Sequence, residues 1–314
     1  MIIAWWSGGV TSAIACKMAL DMYEDVHLVM LDTMNEDEDT YRFKADCEKW
    51  YGVEIELFKH LRWSSIDEVW WHFKSLSNAT GAICSKELKA IARQLYCKDK
   101  NISAHVFGFE YSKKEINRAE SWKKNQGLAA HFPLIEAEIT KDRSFEVLEK
   151  QGIELPRVYR FGYNNNNCFN TGCTQGGAGY WQKIGRDDFA KYNRMAQREH
   201  DLSELKGEPV VVLHKQGDIY DPTGSFEEKY GDKFKYTQDI KKGRIVTKWD
   251  ISKKTGIPYS KSKCFLRFNI MFPEIPTVDT IDGRHEPIYK ECNGFCSAEE
   301  NTNQLDFMEL FDNA

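Results

Sequence analysis

No apolar run in this chain approaches the roughly twenty residues needed to cross a bilayer as a helix. The opening Met1-Ile-Ile-Ala-Trp-Trp6 is too short for the core of a secretion signal and has no basic flank. A compact cysteine framework is missing as well. The nine cysteines are an odd number scattered over 314 residues, which suits reduced thiols or metal ligands better than disulfides. With a net charge of −5, the chain as a whole has no pull toward polyanions. Internal repeats and low-complexity tracts are absent apart from four consecutive asparagines. These absences argue against a membrane span or a disulfide scaffold, and they predict a cytoplasmic protein with no membrane partner.

What is present is enough apolar material for globular packing, 41% hydrophobic and 13% aromatic. The length favours two domains over a single core. The most informative stretch comes first: residues 1–6 are continuously apolar, Ser7-Gly-Gly-Val-Thr-Ser12 is small and hydroxyl-rich, and good helix formers follow from Ala13. This predicts a strand, a tight loop and a helix. Gly8 and Gly9 let the backbone turn sharply, with Gly9 expected to need a positive φ, while Ser7, Thr11 and Ser12 set hydroxyls beside a helix N-terminus. Such a corner suits phosphate. Neither the Gly-Lys-Ser/Thr ending of a Walker loop nor a G-x-G-x-x-G pattern is there. The loop resembles the S-G-G-x-D-S loop of the PP-loop ATP pyrophosphatases, whose glycines seat the terminal phosphates. Thr11 stands at the Asp position, which removes a carboxylate and leaves the use of Mg²⁺ open. The alternative is a Gly-Gly corner that serves packing alone.

Val26-His-Leu-Val-Met-Leu31 reads as a second strand, and in a doubly wound sheet the loop that follows it lines the ligand crevice, which places Asp32, Thr33, Asn35 and Glu36 beside the glycine loop. The acidic run itself has the composition of a solvated face. Asp39 or Thr40 is expected to cap the next helix, and Val53-Glu-Ile-Glu-Leu-Phe58 to be an alternating strand. Asp32-Thr33, Thr40-Tyr41, Phe43, Glu48-Lys49 and Tyr51-Gly-Val53 resemble the phosphoadenosine-phosphosulfate (PAPS) reductase family. Trp63, Trp70 and Trp71 fit a core or domain-contact face better than a base-stacking platform. Further segments resemble that family in order: Cys84-Ser-Lys86 opening a helix, a strand ending in Gly108, Glu115 and Arg118 one helical turn apart, and Phe132-Pro-Leu-Ile-Glu136. Glu115 and Arg118 can pair with each other, or Arg118 can reach a phosphate or sulfate.

Four asparagines precede Cys168, with Cys173 five positions on, in a glycine-rich loop whose amides suit recognition of something polar. Cys168 and Cys173 form an incomplete metal half-site that Cys292 and Cys296 could complete for Zn²⁺ or an iron–sulfur cluster; ordinary loop thiols are the alternative. Beyond residue 203 the texture changes. Strands are expected at 209–213, 245–246 and 264–268, and between Lys229 and Arg267 twelve Lys and Arg stand against three Asp with aromatics interleaved. That composition fits contact with a polyanion such as tRNA or DNA, or a solvated basic face.

The resemblance covers residues 1–200 or so and implies a doubly wound α/β sheet of the adenine nucleotide alpha-hydrolase-like (HUP) kind, with a smaller basic C-terminal region. The expected division is 1–203 for the nucleotide-binding domain and 204–314 for an accessory domain. ATP or a PAPS-like adenine nucleotide would be held by Ser7, Gly8, Gly9, Thr11, Ser12, Asp32, Thr33, Lys86 and Gly108, with Arg118, Cys168 and Cys173 as catalytic candidates. The activity this favours is adenylation of an acceptor with release of pyrophosphate, in the service of sulfur transfer and with a nucleic acid as a candidate acceptor. Reduction of a sulfonucleotide is the second reading, supported by Gly283-Arg284 and Glu291-Cys292-Asn-Gly294. A nucleotide-binding regulator without turnover is the third, motivated by Thr11.

Overall fold

The computed structural model describes residues 1–78, 81–126, 129–166, 168–217, 245–251, 258–273, 275, 277 and 278. Ile2–Trp5 form β1, Val26–Asp32 β2 and Glu56–Lys59 β3. The short β4 (Ser77–Asn78) and β5 (Gly81–Ala82) pair with each other. Ala104–Val106 form β6 and Ala130–His131 β7, and Leu213–Gly217, Ile245–Ile251 and Pro258–Cys264 form β8, β9 and β10.

The main sheet has the order β3-β2-β1-β6-β7, and every neighbouring pair in it is parallel. Parallel neighbours require crossovers, and helices supply them. The first strands show why both faces are covered. Ala4, Trp6, Leu28 and Met30 pack with Val10, Ile14, Phe43, Cys47 and Leu148. Their alternates Ile3, Trp5, Val29 and Leu31 pack with Ala92, Tyr96, Phe107, Trp122 and Phe132. Near-continuous apolar strands are what a doubly covered parallel sheet demands. The expected α/β doubly wound architecture is therefore present. The strand order reverses between β1 and β6, and in such sheets ligands bind outside the carboxyl ends of the strands at that point.

By contacts the chain divides into two compact units, one built on Met1–Ile66 with Cys84–Phe169 and the other on Asp67–Ile83 with Asn170–Cys292. This grouping breaks after Phe169 rather than after residue 203, and it sets the helices Ala178–Asp187 and Phe189–Lys206 with the later residues. In the second unit β8, β10 and β9 form an antiparallel sheet in that order. The strand expected at 264–268 lies at 258–264 instead. Side chains take over the backbone groups there: Leu266 N donates to Glu199 Oε2 at 2.8 Å, and the Tyr192 hydroxyl donates to the Leu266 carbonyl. Glu199 Oε1 also accepts from Val212 N at 2.8 Å, just before β8, which starts at Leu213 rather than at 209. Arg198 closes a two-point pair on Asp67, with Nε to Oδ1 at 2.5 Å and Nη2 to Oδ2 at 2.9 Å. Trp63 and Trp70 are buried, as a core face requires, whereas Trp71 is 39% exposed and stands outside it.

Candidate functional site

The loop after β1 enters the helix Val10–Met22 through Gly9, which is the N-cap and brings no side-chain capping bond. Two of the first-turn hydroxyls are used inside the loop. Ser7 N and Ser7 Oγ donate to Ser12 Oγ at 3.0 and 3.1 Å, and Ser12 Oγ donates to the Gly9 carbonyl at 2.8 Å. Ser12 is therefore buried as the staple of the turn, whereas Ser7, Gly9 and Thr11 are half-buried. The positive φ falls on Gly8 (+81°), not on Gly9, whose φ of −92° any residue adopts. A Cβ on Gly8 would lie 2.8 Å from Thr40 Cγ2, and one on Gly9 3.4 Å from the Tyr159 hydroxyl.

Gly108 sits just beyond β6, on the other side of the switch point. A Cβ there would lie 2.5 Å from Ser12 Cα and 2.6 Å from Ser12 N, so the missing side chain is what lets the helix start press against the end of β6. The structure thus gives Gly108 a packing task beneath the loop. Phe109 follows, and Arg118 stacks over its ring at 4.2 Å while pairing with Glu115 Oε2 at 3.1 Å, the local pair that the helical spacing allows.

The acidic segment after β2 is turned inward, not solvated. Asp32, Thr33, Asn35, Glu36 and Asp37 are all buried. Asp32 Oδ1 accepts from Met34 N at 2.8 Å and from the Tyr41 hydroxyl at 3.0 Å, and Asp32 Oδ2 faces Lys59 Nζ at 3.7 Å. Asp37 caps the helix Glu38–Tyr51 through Asp39 N, in place of the expected Asp39 or Thr40, and it is held by Arg157 at 2.8 Å. Glu36 takes Thr33 Oγ1 at 2.7 Å and Cys168 N at 3.1 Å. Burial pushes its carboxyl above the usual range, opposed by the Lys89 ammonium and by these two hydrogen bonds. Trp5, Trp6, Ser7, Val29, Leu31, Glu36 and Lys89 line one pocket. Lys89, in the π-helical stretch Lys86–Ile91, is thus the lysine of that segment that reaches the pocket lining; Lys86 is half-buried at its start.

The asparagine run reaches back to the same loop. Asn166, 2% exposed, donates through Nδ2 to the Gly8 carbonyl at 2.9 Å and to Thr40 Oγ1 at 3.0 Å. Lys141 holds Asn165 Oδ1 at 3.0 Å and also donates to the Asn164 carbonyl. Cys168 follows in a left-handed conformation (φ 49°), with its carbonyl taking Asn35 Nδ2 at 3.3 Å and its sulfur 3.8 Å from Thr33 Oγ1. The polar object that these amides recognise includes the chain's own glycine loop.

The chain matches, over residues 1–173, the sequence profile of the phosphoadenosine phosphosulfate reductase domain, more than half of its 314 residues. The chain belongs to that family. Two solved structures are similar to parts of the chain. One is a PAPS reductase from Candida auris in a phosphate complex (16% identity, 52% of this chain and 78% of that one covered, TM-score 0.41). The other is the U34-tRNA thiolase NcsA from Methanococcus maripaludis with its [4Fe-4S] cluster (12%, 75% and 83%, TM-score 0.35). No curated protein matches the chain in sequence.

Within this PAPS reductase domain, the structure brings Ser7, Gly8, Gly9, Thr11, Ser12, Asp32, Thr33, Gly108 and Cys168 into the first unit. Cys173 belongs to the second unit, where its N–H donates to the Tyr180 hydroxyl at 3.0 Å. Cys292 and Cys296 lie outside the described residues, as do Gly283-Arg284 and most of the basic stretch 229–267. Among the described residues no group of three or more His, Cys, Asp or Glu could hold a metal ion, and no helix is long and apolar enough to cross a membrane. Sequence reasoning missed Asn166, Tyr159 and Lys89. Their partners are remote in the chain, and only an unusual run of four asparagines marked the first of them.

Proposed function

We propose that this chain is a PP-loop enzyme that seats the phosphates of ATP, or of PAPS as a related adenine nucleotide, over residues 7–12. It adenylates an acceptor with release of pyrophosphate, as a step toward sulfur transfer. The observation that carries the reading is the loop itself: a helix N-terminus without a side-chain cap, entered through a left-handed Gly8, at the point where the strand order reverses. Thr11 supplies a hydroxyl, the Ser7 hydroxyl proton being used on Ser12 Oγ, and the N-terminal N–H groups other than that of Val10, which the Tyr159 hydroxyl takes, supply donors for an anion. Mg²⁺ in nucleotide sites is held by one or two carboxylates together with substrate phosphates, and Asp32, at the end of β2, is the carboxylate that would serve, with Glu36 lining the pocket beside Ser7. Arg118 and Cys168 are the side chains proposed to meet the reacting end. Residues 204–314, with their basic stretch, would present a nucleic-acid acceptor such as tRNA.

The test is release of pyrophosphate from labelled ATP and Mg²⁺, with and without tRNA. Sustained release supports adenylation, and its absence with every acceptor tried removes it. Family membership favours one second reading, reduction of PAPS, with Cys168, Cys173 and Cys292 as the thiols to test. Release of sulfite from PAPS with a dithiol reductant, and no pyrophosphate from ATP, would select it.

A further inference from the structure

The geometry points to Asn166 as a positioning residue that aims the phosphate-binding donors of the glycine loop. This inference rests on the nucleotide reading above and adds to it the device that sets the loop's polarity. A trans peptide points its C=O and its N–H in opposite directions. Asn166 Nδ2 draws the Gly8 carbonyl toward itself at 2.9 Å, so the N–H of the same peptide unit, that of Gly9, is turned the other way. Among the described residues that N–H makes no hydrogen bond, and it belongs to the N-cap of the helix Val10–Met22. Left to itself, a glycine at φ +81° has wide conformational freedom, and a flipped Gly8 peptide would present a carbonyl oxygen, not a donor, to an anion.

Asn166 is suited to the task because it is itself fixed. It is buried, its second acceptor is the fully buried Thr40 at 3.0 Å, and the Thr40 methyl closes the space beside Gly8 where a Cβ would stand. Lys141 grips the two preceding asparagines, and Cys168 beyond is pinned by Glu36 and Asn35. Tyr159, in the short helix Arg157–Arg160 that precedes the run, touches the loop at a second point by accepting from Val10 N at 3.3 Å. The run Asn164 to Asn166 thus acts as a strap holding one peptide plane.

The experiment compares the full-length wild type with Asn166→Asp, which keeps the size but replaces both N–H donors by a carboxylate, and with Thr40→Val, which removes only the anchor of the amide and adds no charge, so that a loss seen in Asn166→Asp alone is repulsion of the phosphates and overturns the inference. ATP, PAPS and adenosine are titrated by calorimetry, and melting temperatures are read in parallel. A positioning role predicts that Asn166→Asp weakens ATP and PAPS about tenfold or more, the scale of one lost hydrogen bond, while adenosine binding stays within twofold. Thr40→Val should show the same pattern more weakly, and it carries the test if Asn166→Asp does not fold. Equal loss for all three ligands, or unchanged ATP affinity in a folded variant, overturns the inference alone. A wild type that binds neither ATP nor PAPS overturns the nucleotide reading and this inference with it.

Discussion

Gly8 and Gly9 are neighbours with different tasks, and single substitutions should separate them. Alanine at Gly8 must adopt a φ of +81° and set its Cβ 2.8 Å from Thr40 Cγ2, so Gly8→Ala is expected to cost about 1–3 kcal/mol of stability and to abolish nucleotide binding. Gly9→Ala, at a φ of −92° with 3.4 Å to the Tyr159 hydroxyl, should fold with wild-type stability. Thermal melts followed by calorimetry with ATP decide it, and the reverse ranking would contradict the loop geometry. Gly108→Ala is a stronger test of packing, because the atoms its Cβ meets at 2.5 and 2.6 Å are backbone and cannot rotate aside. We expect it to lose more stability than Gly8→Ala, because the backbone of Ser12, the staple of the loop, would have to shift.

Two elements carry predictions of their own. The helix Glu38–Tyr51 begins at Asp37, whose carboxylate both caps it and pairs with Arg157. Asp37→Ala should therefore cost about 1–2 kcal/mol, read from a shift in the urea midpoint, and Asp39→Ala should leave that cap intact. In the helix Phe189–Lys206, burial pushes the Glu199 carboxyl up to about 8, from an ordinary 4.5, against the lowering effect of its two backbone donors. A raised carboxyl binds its proton more tightly folded than unfolded, so its contribution to stability is present below pH 4.5 and declines as the pH rises to 8. Glu199→Gln should be less stable, since an amide cannot accept from both Val212 N and Leu266 N, yet it should lack that decline. Melting temperatures of both proteins across this range test the claim, and identical slopes would refute it.

At the scale of the whole molecule, the basic stretch between Lys229 and Arg267 predicts binding of tRNA or single-stranded DNA that weakens steeply with salt, as release of counterions requires. A filter-binding series from low to physiological salt checks it, and salt-independent retention would reduce the stretch to a solvated surface. The parallel sheet and the strand–loop–helix corner were legible in the sequence because both depend on local signals: runs of apolar residues of strand length, glycines where the chain turns, and good helix formers after them. What only the tertiary structure decided depends on contacts between residues far apart. The acidic segment from Asp32 to Asp37 reads as solvated by composition, yet it is buried because Tyr41, Lys59, Arg157 and the backbone of Cys168 supply its partners. Asn166 lies 158 positions from Gly8. Nothing in the spacing of a polar loop residue announces which peptide it holds, since a hydrogen bond is chosen by geometry after the chain has folded, while an apolar run declares its burial beforehand. The same difference explains why the sequence marked two glycines for the loop and the fold alone assigned the left-handed turn to the first.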